Sequence, residues 1–236
     1  MKRILQAIGQ LALLAIALAI APAAQAAFQT TYTFDVDYCT SGCLFGGTGG
    51  TVTLTQNGTG DVTVTVSLTG VDFHDQGLTS FVWNLDDAVT GVSIQNLAGD
   101  GGGTWSALQT SVHEDGAGTF DYAVNCSNCG PQNGGVEIAS ISFDVLGTGL
   151  TTDSFHFLSS GGSPSAYFAA AVFNTTDTTC TGVIGADGGT TPRRGGSNDG
   201  SGDCATPVQE MPEPHGLALA GLGLLAVGFI RRRNTR

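Results

Sequence analysis

Between Thr51 and Leu68 the chain alternates with a period of two. Val52 and Leu54 are separated by threonines, the sequence turns at Asn57-Gly58-Thr59-Gly60, and Val62, Val64, Val66 and Leu68 resume the same beat. Side chains two apart share one face of a strand, so this pattern specifies a hairpin with one buried and one wet face. Similar candidates follow at 28–38, 80–85, 91–97, 119–124, 136–146, 154–158 and 166–173, punctuated by many of the 36 glycines and with no amphipathic helix between them. Short strands at fairly even spacing, joined by glycine turns, predict an all-β fold, an antiparallel β-sandwich of jelly-roll or immunoglobulin-like topology. About 160 residues suffice for one such core and are a tight fit for two.

The two ends read differently. Lys2 and Arg3 precede an apolar run from Leu11 to Ala21, and Ala24-Gln25-Ala26 offers a small-x-small site before Ala27. That order is the pattern of a signal-peptide helix (residues 1–26) removed by signal peptidase. At the other end Pro212-Glu213-Pro214 precedes an apolar segment, 215–230, and then Arg231-Arg232-Arg233. A helix of that length spans about 24 Å, short of the roughly 30 Å hydrocarbon layer, and the arginines resist translocation. The expectation is a short C-terminal transmembrane helix seated in the inner membrane.

Pro212, Glu213 and Pro214, the short span and Arg231 to Arg233, in that order, resemble the PEP-CTERM sorting signal of Gram-negative bacteria, here residues 211–236. The resemblance implies recognition by exosortase, a membrane-embedded cysteine protease, and removal of the tail during delivery to the cell surface or extracellular matrix. The segments Asn125 to Gly130, Ser142 to Val145 and Tyr167 to Val172 also look like parts of PEP-CTERM ectodomains. They imply no known chemistry.

Without those ends the charge is lopsided. Six of the eight basic residues lie in the targeting segments, leaving Arg193 and Arg194 against 20 acidic residues. Such a body repels nucleic acid and anionic lipid. With Lys2 the only lysine, the mature chain has no lysine nucleophile. Residues 27–184 are expected to form the domain and 185–210, poor in apolar residues, a flexible spacer.

Six cysteines fall as Cys39 and Cys43, Cys126 and Cys129, Cys180 and Cys204. In an exported chain, disulfides between sequence neighbours are expected, the first two stapling turns and the third tying the spacer to the last strand. The rival is a four-thiolate zinc site from the first two pairs. Asp72 with Asp75 and Asp86 with Asp87 are acidic pairs beside glycine turns, and two readings stand for them: calcium ligands, or solvated surface charge. No other cofactor is expected.

No G-x-S-x-G elbow and no H-E-x-x-H pair occurs, and His74, His113 and His156 are scattered. The expectation is a non-catalytic surface or matrix protein associated with exopolysaccharide, with a carbohydrate-binding module or a secreted hydrolase as alternatives. Phe81, Trp83 and Leu85 read as core. Trp105, after a run of glycines, reads as a loop residue that either stacks on a sugar or folds back on the sandwich.

Overall fold

The computed structural model describes residues 28–195, except 40–41, 45–46, 76–78, 109–110 and 132–134. The strands are β1 (Gln29–Thr33), β2 (Val36–Asp37), β3 (Gly50–Gly58), β4 (Asp61–Leu68), β5 (Val71–Phe73), β6 (Phe81–Trp83), β7 (Thr90–Gly99), β8 (Trp105–Leu108), β9 (Val112–Glu114), β10 (Gly118–Phe120), β11 (Tyr122–Cys126), β12 (Ser140–Thr148), β13 (Phe168–Asn174), β14 (Thr181–Ala186) and β15 (Arg193–Arg194). A five-stranded sheet has the order β1-β3-β4-β12-β7. An eight-stranded sheet runs β15-β2-β14-β13-β6-β11-β8, with β5 also beside β13, and β9 and β10 form a separate hairpin. Every strand pairing is antiparallel apart from β15 with β2.

The alternating hairpin is β3 and β4, with Val52 opposite Val66 and Leu54 opposite Val64. These valines and leucines point inward and join Phe73, Phe81, Trp83, Phe143, Phe155 and Phe168 in one core drawn from both sheets. Gly50, at φ +117°, begins β3 where a Cβ would run into the Ser67 carbonyl, so only glycine fits that crossing.

The five-stranded sheet keeps its outer face wet, whereas the eight-stranded sheet is covered on both sides. All seven residues of β13, Phe168 to Asn174, are buried. Phe168, Ala170 and Val172 face the main core; Ala169 joins Val36, Val82, Ala123 and Val183 in a second cluster capped by Ala117 and Phe120 of the β9–β10 hairpin. A doubly buried strand reads as a continuous apolar run rather than an alternation.

Several sequence expectations are corrected here. The 28–38 segment is two strands, because Phe34 donates its N–H to Gly50 at 3.0 Å while Asp35 donates to Gly185 at 3.1 Å, which switches the chain from one sheet to the other. The 119–124 segment splits at Asp121, whose N–H is taken by the Asn84 side chain at 2.8 Å. In place of a strand at 154–158 there is a 3-10 turn, Thr152–Phe155, opened by a reciprocal Thr151–Ser154 capping box. The two ends of 185–195, expected to begin the spacer, join the sheet instead: β14 continues to Ala186, and β15 lies along β2 with Arg193 N–H on Asp35 O at 2.8 Å and Gly195 N–H on Asp37 O at 2.9 Å.

Among the described residues no helix is long and apolar enough to cross a membrane. The signal peptide with Ala24, Ala26 and Ala27, the rest of the spacer, and the tail with Pro212, Glu213, Pro214, the 215–230 segment and Arg231 to Arg233 lie outside the described residues.

Candidate functional site

Two of the three expected disulfides are formed. Cys39 bonds Cys43 and Cys126 bonds Cys129, at sequence separations of 4 and 3. Asp37 organises the first staple, its carboxylate accepting N–H groups from Cys39 at 3.0 Å and Leu44 at 2.9 Å. Cys180 is buried and disulfide-bonded, with its Sγ 3.8 Å from that of Cys43; Cys204, its expected partner, lies outside the described residues. The zinc alternative is set aside because its four sulfurs are spent in two separate disulfides. The same holds for the cluster of Asp37, Cys39 and Cys43, whose ligand atoms lie within 4.8 Å of one another. A disulfide sulfur is no thiolate, and both carboxylate oxygens of Asp37 already accept backbone N–H groups.

The acids named as calcium ligands are not gathered into one group of three among the described residues. Asp86 caps its own turn through the Ala88 N–H at 2.9 Å, and Asp87 is exposed beside it. The Asp75 N–H is bound by the Cys129 carbonyl at 3.2 Å. Asp72 is buried, and desolvation, then the charges of Glu137 and Asp100, hold its carboxyl above the usual carboxylate range.

The histidines each have different neighbours. His74 is buried with its ring against Phe173, and desolvation lowers its pKa. His113 sits exposed beside Thr119, and His156 packs on Tyr32 and Tyr167. Trp105 is on β8 rather than a loop, edge-on to Phe73 with centroids 5.5 Å apart, and its indole Nε1 is buried. It is folded back on the core by that contact and remains partly exposed.

The feature that the pairing register newly assembles is the outer face of the five-stranded sheet. Thr31, Thr53, Thr65 and Ser142 stand side by side on four adjacent strands, and Thr33, Thr51, Ser67 and Ser140 form the next row. A third row holds Gln29, Thr55, Thr63 and Asp144. Strands lie about 4.8 Å apart and same-face residues about 6.7 Å apart along each, so the face is a grid of hydroxyls. Neighbours on it touch loosely, Thr31 to Thr53 and Thr65 to Ser142 each at 3.4 Å. The one carboxylate in these three rows, Asp144, is closed on both oxygens, by Thr63 at 2.6 Å and Asn96 at 2.7 Å.

Comparison with family models, with curated proteins and with solved structures found no match to the chain. The site therefore rests on its own geometry.

Glu114 with Asp115 also reads from the sequence as an acidic pair beside a glycine turn, but two arrangements were not legible there. Glu114 on β9 is buried, hydrogen-bonded by the Thr79 hydroxyl, and desolvation raises its pKa to about 7, with Thr79 lowering it and Asp115 raising it. No local signal marks that burial, since it comes from the hairpin lying on the larger sheet. Arg193 and Arg194, the only cations of residues 27–213, are both on β15. Arg193 pairs with Asp187 and also lowers the pKa of Asp35, which burial raises more strongly. Arg194 reaches over Gly42, where a Cβ would meet its guanidinium.

Proposed function

We propose that this is a non-catalytic surface or matrix protein, exported through signal peptidase, held briefly in the inner membrane by its tail, trimmed by exosortase and associated with exopolysaccharide. The observation that carries the reading is the state of the cysteines: every described one is in a disulfide, a condition that oxidising compartments favour and the bacterial cytosol does not. The acidic body with only two arginines supports it, since such a surface stays soluble and away from anionic lipid. Pro212, Glu213 and Pro214 are the processing determinants and Arg231 to Arg233 the stop, as the resemblance to PEP-CTERM signals implies. The fold supports a sandwich whose two sheets close on one core. Of the alternatives, a sugar platform at Trp105 is the weaker, since one edge of the ring packs on Phe73 and the indole Nε1 is buried.

The sorting step is tested by Glu213→Ala in a native host. The variant is expected to stay in the membrane fraction with its tail attached while the parent protein reaches the surface. Equal surface delivery of both would overturn the proposal.

A further inference from the structure

We infer that the hydroxyl grid on the outer face of the five-stranded sheet is the docking surface for an uncharged, extended polysaccharide. The inference rests on the reading of the protein as a matrix component and names its contact face. Threonine and serine hydroxyls both donate and accept, as sugar hydroxyls do, so the two surfaces are matched group for group. The 3.4 Å separations of Thr31 from Thr53 and of Thr65 from Ser142 leave most of that capacity unspent within the protein.

Charge selects the class of polymer. The three rows carry no cation that would hold a phosphate, sulfate or uronate, and both arginines of the body are on β15 in the other sheet. The single carboxylate in the rows, Asp144, is internally satisfied. The molecule is strongly acidic and this face holds no cation, so an anionic polymer is repelled while a neutral one is not. No aromatic ring stands in these rows, so binding comes from many weak hydrogen bonds with threonine methyl groups between them, rather than from stacking. Each contact is weak alone, and the grid acts through number. It therefore holds an ordered, insoluble polymer in preference to a soluble oligosaccharide.

The test is retention of the exported protein on cellulose, chitin and insoluble β-1,3-glucan, with alginate as the anionic comparison. Retention is expected on at least one neutral sorbent, undiminished by Thr178→Val on the distant β13–β14 turn. In Thr53→Val/Thr65→Val, which keeps β-branched side chains and removes two central hydroxyls, the bound fraction is expected to fall about tenfold. Should that pair disturb the fold, as judged by its melting curve, Thr31→Val on edge strand β1 supplies a smaller loss of the same sign. No retention on any neutral sorbent, preference for alginate, or undiminished retention in the valine variants would each overturn the proposal. So would capture by ice without capture by any glycan, which would assign the grid to ordered water. Export and tail trimming are read by mass and by fractionation, so a failure here is distinguishable from a failure of the sorting proposal.

Discussion

Glu114→Gln is expected to raise the stability of the protein at pH 8 by about 3 kcal/mol while changing it little at pH 4. Glu114 is buried, with its pKa raised from the ordinary 4.5 to about 7. Below about pH 4.5 it is protonated in both the folded and unfolded chain, so its contribution is fully present. As pH rises towards 7 the unfolded chain releases the proton and the folded one keeps it, so stability is lost by about 1.4 kcal/mol per pH unit until the folded group ionises. Glutamine cannot ionise, yet it still accepts the Thr79 hydroxyl. Asp35 and Asp72, also raised by burial, are common to both proteins. The difference between the two melting profiles therefore isolates Glu114, and for a chain of this size it is worth roughly 6–12 °C at pH 8. Profiles that run parallel from pH 4 to pH 8 would show that the carboxyl is not desolvated by the hairpin.

An effect of similar size and opposite sign is expected from Trp83→Ala, a loss of about 3–5 kcal/mol. Trp83 is fully buried at the centre of the core, with ring centroids 5.1 Å from Phe143, 5.6 Å from Phe81 and 5.9 Å from Tyr122. Truncation removes those contacts and leaves a void between the sheets. Trp83→Phe separates packing from polarity, because the indole Nε1 is buried without a hydrogen-bond partner. Phenylalanine gives up some volume but also discards that orphan donor, a burial cost of about 1–3 kcal/mol, so the two changes oppose each other. The substitution is expected to cost less than about 1.5 kcal/mol by denaturant unfolding. Equal losses for both variants would mean that the ring is not the centre of the packing.

The hairpin at Thr51 to Leu68 was legible because the five-stranded sheet has one face in solvent, and that asymmetry is what writes a period of two into a sequence. The other sheet is covered on both faces, so Phe168 to Phe173 reads only as an apolar run, and its neighbour β14 carries too few large residues to stand out. β5, β8, β9 and β15 are two to four residues long and exist through pairing with distant strands, for which no local signal is written. The gap between β5 and β6 shows why: Ala171 on β13 receives the His74 N–H at 2.9 Å and gives its own N–H to Ser80 at 3.0 Å, bracketing the intervening excursion. Neighbour pairing of Cys39 with Cys43 and Cys126 with Cys129 was readable from spacing. The hydroxyl grid was half readable: the Thr-x-Thr habit is in the sequence, but the register that sets Thr31, Thr53, Thr65 and Ser142 abreast is not. Arg193 and Arg194 sat in a stretch with the composition of a linker, and only the backbone pairing of β15 with β2 and the Arg193–Asp187 ion pair reveal why they lie in the sheet.

The most direct test of the account is the intact mass of the protein recovered from the surface or matrix of a native host, with its termini sequenced. The account predicts a chain that begins at Ala27, carries oxidised cysteines and ends near the Pro212-Glu213-Pro214 motif without Arg231 to Arg236. A surface-located chain that still ends at Arg236, or a cytosolic one with reduced thiols and an intact Met1, would contradict it.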